Sequence, residues 1–163
     1  MDIEIINGGA ADVERLGPLW AQLLEHHRAV VAGDWPVRAG ADSWERCRAQ
    51  YLDLLAKDEG LLLVARRPGD DAPLGFAFVV LHGPGATFDL GERRGEVDTL
   101  VVAAGARGGG TGAALLEACR AALRERGIAY LSIGVLAANP DAARLYERVG
   151  FRPWTRELLT RTD

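Results

Sequence analysis

Glu96-Val97-Asp98-Thr99-Leu100-Val101-Val102-Ala103-Ala104-Gly105-Ala106-Arg107-Gly108-Gly109-Gly110-Thr111-Gly112-Ala113 joins a β-branched apolar run to a glycine-dense turn that opens a helix. Val97, Thr99, Leu100, Val101 and Val102 have the composition of a strand, and Ala113 through Arg126 have the alanine and leucine content of a helix with an apolar stripe. Gly108, Gly109, Gly110 and Gly112 carry no Cβ, so the main chain can take positive φ and come close to a bulky ligand. Unpaired N–H groups at the start of the helix, with its dipole behind them, favour a negative group such as a pyrophosphate. The stretch predicts a site for a phosphorylated cofactor.

Spacing separates three cofactor readings of this turn. A Walker loop requires a lysine directly after its last glycine, and none stands near Gly112. Gly108-x-Gly110-x-x-Ala113 fits a dinucleotide fingerprint, but that unit needs an acid some twenty residues on to hold a ribose hydroxyl. The next strand, read as Ile128 to Leu136, ends without one. Arg107-x-x-Gly110-x-Gly112 remains, and it resembles the Arg/Gln-x-x-Gly-x-Gly/Ala loop that holds the coenzyme A pyrophosphate in the GCN5-related N-acetyltransferase (GNAT) superfamily.

A second motif extends the resemblance. Asn139-Pro140-Asp141-Ala142-Ala143-Arg144-Leu145-Tyr146-Glu147-Arg148-Val149-Gly150-Phe151 is similar to the helix that begins near an asparagine and ends in Tyr-Glu-Arg-x-Gly-Phe in that family. Residues 96–151 carry the detailed match, and the residues before them fit in their order of elements. Ala104 and Thr111 depart from the proline and the aliphatic residue common at those places. The resemblance implies one domain over residues 1–163 with an α/β (α+β) fold. Its mixed central β-sheet would splay between the fourth and fifth strands, with helices on both faces.

The remaining elements follow from periodicity. Asp2 to Ile6 alternates like a strand, and Leu16, Leu19, Trp20, Leu23, Leu24 and His27 follow helical spacing. Asp42 is read as the cap of a second helix, with Glu45 completing a capping box and Trp44, Cys47, Tyr51, Leu54 and Leu55 on its apolar side. Gly33 to Ala41 joins these helices. Leu61 to Arg66 and Leu74 to Leu81 are strands split by the turn residues Pro68 to Pro73. His82 to Gly91 is a loop before the strand Glu96 to Val102, and one or two closing strands are expected from about Phe151.

Composition limits the function classes. A chain of 163 residues suits a single core. A net charge of −4 argues against nucleic acid as the main partner. No stretch approaches the roughly 20 apolar residues of a membrane span, and the acidic start Met1-Asp2-Ile3-Glu4 lacks a basic signal-peptide region. A cytoplasmic protein without a membrane partner is expected. Cys47 and Cys119 fall on amphipathic helices without a partner at metal-ligand spacing, so buried thiols and no metal are expected.

The chemistry of acetyl transfer assigns roles to the matched residues. An alkylammonium has a pKa of about 10 and must lose a proton before it can attack, so a carboxylate, directly or through water, assists. Glu96 and Asp98 stand two apart on one strand face, with Asp98 about 6–7 Å nearer the glycine loop. Glu96 matches the position of the family's catalytic glutamate, Asp98 is a substrate-binding candidate, and both can equally be solvated or salt-bridged strand acids. A tyrosine hydroxyl can protonate the departing thiolate, and Tyr146 stands where the family has such a tyrosine. The resemblance implies acetyl-coenzyme A as co-substrate. It would pair with the main chain of Leu100, Val101 and Val102 and lie on Arg107, Gly108, Gly109, Gly110, Thr111, Gly112, Ala113 and Asn139.

Trp35, between the first two helices, is a candidate wall of the acceptor site. His26 and His27 lack an accompanying nucleophile pattern and read as packed or solvated. The expected partner is a small-molecule or peptide amine, with a homodimer left open. The expected activity is transfer of an acetyl group to a primary amine by direct attack in a ternary complex. The other reading is a non-catalytic acyl-coenzyme A sensor or interaction domain.

Overall fold

The computed structural model describes residues 2–31 and 35–163. Strand β1 (Glu4–Gly8) leads through a single turn, α1 (Ala10–Val13), to the helices α2 (Gly17–Val30) and α3 (Gly40–Ala56). Strands β2 (Gly60–Arg66), β3 (Pro73–His82) and β4 (Arg94–Val102) follow, then α4 (Thr111–Glu125), β5 (Leu131–Ile133) and α5 (Pro140–Arg148). The five strands lie in sequence order, antiparallel from β1 to β4, with β5 parallel to β4.

Each sheet face has its own apolar cluster. One packs Leu63, Ala77, Val79 and Val97 under Leu115, Leu116, Cys119 and Leu123 of α4. The other packs Leu62, Phe76, Phe78 and Val101 under Val13, Leu19, Cys47 and Tyr51 of α1 to α3. Such two-sided burial explains why β2 and β3 read as almost continuous apolar runs.

Pairing between β4 and β5 stops early. Its register is Gly95 with Leu131, Glu96 with Ser132 and Val97 with Ile133, and beyond Val97 the two strands part. The sheet therefore opens along Asp98 to Val102, as the expected splayed fold requires. β5 is much shorter than the Ile128 to Leu136 expected, because β4 offers a partner only over three residues.

Two local expectations are corrected. Helix α3 starts at Gly40 with Ala39 as its N-cap, so Asp42 lies in the first turn and does not cap. Its carboxylate instead accepts from Arg38 at 2.9 Å and Arg46 at 3.1 Å. The closing strands do not form: residues 151–163 have no regular structure, Pro153 lacks an N–H for a ladder, and Leu158 is 83% exposed. Part of the Gly33 to Ala41 connection, including Gly33 and Asp34, lies outside the described residues.

Candidate active site

The site is built where β4 changes phase. Gly95 and Val97 face α4, as a Cβ on Gly95 would meet Leu123 Cδ1 at 2.7 Å. Val101 belongs to the opposite cluster, although an even spacing from Val97 should keep both on one face. The ladder to β3 resolves this, because Val79 pairs with Val97 and Phe78 with Thr99, leaving Asp98 without a partner. Asp98 is thus the extra residue of a β-bulge, and such bulges re-aim side chains near functional sites.

The bulge turns Asp98 and Thr99 toward α3. Thr99 Oγ1 donates to Asp98 Oδ2 at 3.0 Å, and the Tyr51 hydroxyl donates to Thr99 Oγ1 at 2.6 Å. The Tyr51 hydroxyl also lies 3.2 Å from the same Asp98 oxygen. Tyr51 is fully buried and stacked on Phe78, with ring centroids 3.8 Å apart and planes 2° from parallel. Burial, followed by the nearby Cys47 and Asp98, pushes its pKa well above the ordinary phenol value, so the hydroxyl keeps its proton. One oxygen of Asp98 is fixed by this chain while its side chain remains exposed to the neighbouring hollow.

Glu96 is placed differently. Its Oε2 lies 2.9 Å from His82 Nε2 and 3.7 Å from Arg94 Nη1. His82 Nε2 is buried, and its approach to Glu96 falls outside hydrogen-bond geometry. The two acids therefore have separate surroundings: Glu96 stands among cationic or ionisable side chains, and Asp98 is held by hydroxyls.

The glycine loop is open. Gly108 and Gly110 take φ of +79° and +84°, and a Cβ at Gly105, Gly108, Gly109 or Gly110 would meet nothing within 4 Å. Gly110 is the N-cap of α4, and Ala114 N–H makes the first helical bond to its carbonyl at 3.0 Å. The N–H groups of Thr111, Gly112 and Ala113 precede that bond and have no partner within the helix. This is an arrangement into which a pyrophosphate fits.

The Thr111 side chain does not face the loop: it is 4% exposed, and its hydroxyl donates to Ala106 O at 3.3 Å. Gly112 serves packing as well, since a Cβ there would stand 3.1 Å from Leu145 of α5. Arg107 folds back, its Nε donating to Val102 O at 3.0 Å. Beside it, a hollow of about 420 Å³ is lined by Ala104 and Arg107 and by Gln22, Glu25 and His26 of α2, with Ala104 N–H donating to Gln22 Oε1 at 3.1 Å.

Helix α5 begins as its sequence indicates. Asn139 Oδ1 accepts from Ala142 N–H at 3.2 Å, and Pro140 occupies the first turn. Asn139 Nδ2 also lies 3.2 Å from His26 Nε2, tying α5 to α2. With Oδ1 already accepting, Nδ2 is the donor and the His26 nitrogen the acceptor. Tyr146 is half-buried against the α4 cluster, edge-on to Phe151 at 6.1 Å, and burial raises its pKa.

A second hollow, of about 230 Å³, lies on the α3 side beside the bulge. Asp98 and Tyr51 form one part of its wall, and Trp20, Arg38, Arg46 and Gln50 others. Trp35 is 36% exposed and is not among the described residues of this wall. The sequence reading missed Arg38 and Arg46, although Arg38, Asp42 and Arg46 stand at successive i,i+4 positions, a spacing that signals an ion-pair row. Among the described residues no cluster suited to a metal ion is present, and no helix is long and apolar enough to cross a membrane.

Comparison with known proteins places these features in context. Residues 20–151 match the sequence model of the Acetyltransferase (GNAT) family. The chain is 37% identical over 142 residues to a mycothiol acetyltransferase of Stackebrandtia nassauensis, an alignment covering 84% of this chain and 42% of that protein. It thus spans about two fifths of the length of the curated relatives it matches. Among solved structures, a GCN5-related N-acetyltransferase from Ralstonia eutropha superposes with a TM-score of 0.77 at 22% identity, covering 99% of this chain and 100% of that one. A predicted acetyltransferase from Clostridium acetobutylicum solved with acetyl-CoA gives a TM-score of 0.75 at 15% identity, covering 98% of this chain and 96% of that one.

Proposed function

The chain belongs to the acetyltransferase (GNAT) family, and from that premise we propose that it moves an acetyl group from acetyl-coenzyme A to the primary amine of a small molecule, by direct attack in a ternary complex. The observation that carries this reading is the open edge of β4 from Asp98 to Val102, lying between the glycine loop and the bulge. A pyrophosphate on the N–H groups of residues 108–113 directs an amide-like pantetheine arm along Leu100, Val101 and Val102, whose edge turned away from β3 can pair with it as a substitute strand once Arg107 gives up the Val102 carbonyl. The acyl end then lies beside Asp98.

Bound acetyl-coenzyme A supplies the thioester: the amine nitrogen bonds to its carbonyl carbon, the carbon–sulfur bond breaks, and coenzyme A leaves as a thiolate. Glu96 takes the amine proton, directly or through water, with His82 and the Arg94 guanidinium beside it. Asp98, pinned by Thr99 and Tyr51, orients the acceptor. Tyr146 keeps its proton through the neutral range and can deliver it to the thiolate. Asn139 positions the start of α5 against the cofactor groove. The protein works in the cytoplasm on a soluble amine.

Thiol release with acetyl-coenzyme A over an amine panel tests the reading. Glu96→Gln should lower the rate most at low pH and recover part of it as solvent deprotonates the acceptor. Tight acetyl-coenzyme A binding without turnover on any amine would favour the non-catalytic sensor instead.

A further inference from the structure

The hollow beside Asp98 holds charges of both signs in separate places. Asp98 faces it on the β4 side, fixed through one oxygen by the Tyr51 and Thr99 hydroxyls. Arg38 and Arg46 face it from the α3 side. These guanidiniums share a single carboxylate, Asp42, whose two oxygens each accept one bond. Two positive groups against one negative leave a net positive charge at that wall, with several N–H donors that have no partner among the described residues. Arg38, chiefly, and Arg46 hold the Asp42 carboxyl below the ordinary carboxylate range, so this carboxylate stays ionised at neutral pH.

From this juxtaposition, resting on the N-acetyltransferase reading above, we propose that the acceptor is a free α-amino acid, its ammonium at Asp98 and its carboxylate between Arg38 and Arg46. Guanidinium edges match a planar carboxylate in geometry as well as charge, which makes them selective for it over a neutral amide. The volume of about 230 Å³ is below the roughly 300–1,000 Å³ of sites that enclose drug-sized ligands. A small zwitterion satisfies both walls, whereas a simple amine leaves the positive charge in excess of Asp42 uncompensated. The amine also lies at the bulge, where β4 and β5 part and the acyl group is expected.

The test uses the full chain with acetyl-coenzyme A and three sets of acceptors: L-α-amino acids, their α-amides, and the matching amines without a carboxyl group. Amino acids should exceed both counterparts by roughly tenfold or more in kcat/KM. The double variant Arg38→Gln/Arg46→Gln should bring that ratio near one, chiefly through KM. Calorimetric titration of the same amino acids into the parent and the variant reads the site apart from turnover, with binding expected only in the parent. Amides or plain amines used as well as amino acids, a ratio unmoved in the folded double variant, or no amino-acid binding to the parent would each overturn the assignment. Amino-acid binding without thiol release would leave the pocket standing and remove the acetyl-transfer reading instead.

Discussion

Replacing Thr99 by valine should show that the hydroxyl chain behind Asp98 acts as a unit. Valine preserves the shape and burial of Thr99, which is 6% exposed, and removes one oxygen. Two bonds go with it: the 3.0 Å donation to Asp98 and the 2.6 Å acceptance from Tyr51. A buried neutral hydrogen bond is worth about 0.5–1.5 kcal/mol net, and one to a charged group about 1.5–3 kcal/mol. Exposure of Asp98 discounts the second, and the Tyr51 hydroxyl can turn to Asp98 at 3.2 Å. We therefore expect Thr99→Val to cost about 1–2 kcal/mol.

Tyr51→Phe keeps the stack on Phe78 and should cost about 1 kcal/mol, one neutral bond. The double variant should lose about 1 kcal/mol less than the sum, since the bond between these residues can be broken only once. Urea unfolding with unchanged m-values reads all three, and each kcal/mol should move Tm by about 2–4 °C in a chain of this size. Additivity within about 0.3 kcal/mol would refute the coupling and, with it, the fixed orientation of Asp98.

Tyr146→Phe should lower turnover by about 10–10³-fold under single-turnover conditions, with coenzyme A affinity by calorimetry little changed. Gly110→Ala should cost about 1–2 kcal/mol from its left-handed backbone alone and weaken coenzyme A binding by filling the cradle; retained affinity would contradict the cradle. Gly112→Ala should instead show its first effect in Tm, through the 3.1 Å approach to Leu145. Burial pushes the Cys47 and Cys119 thiols up to about 12. The unfolded chain loses those protons first, so their contribution to stability should persist below the ordinary thiol pKa and be lost as pH rises toward 12. Chemical denaturation across that range measures the loss, and a thiol reagent should find both side chains inert at neutral pH.

The sequence already displayed most of the framework because its signals are local. Asn139-Pro140 opens α5, and Gly150, at φ +96°, follows its C-cap, as their backbone chemistry requires. The glycine loop was equally legible from its missing Cβ atoms. The bulge was not, because Val97, Thr99 and Val101 alternate as an unbroken strand would, and only the ladder to β3 reveals the break. In the sequence Tyr51 reads as an apolar-stripe residue, and it is one. Its hydroxyl acquires a role through a residue 48 positions away, a separation that no local pattern encodes. Asp42 misled because an acid in a first turn has the composition of a cap, while the arginines on either side claim both of its oxygens.

Strand β4 carries one residue more than its neighbour can count. If Asp98 were deleted, Val97 would still face α4 and Thr99 would still face α3, and the pairings of Val79 with Val97 and Phe78 with Thr99 would become consecutive rungs. Every other side chain would keep its layer. Asp98 is in this sense a dislocation in a two-layer lattice, removable without shifting either half. Folding and function can then be separated by subtracting a single residue: a chain lacking Asp98 should assemble both apolar layers on a more regular sheet while losing the carboxylate that orients the acceptor.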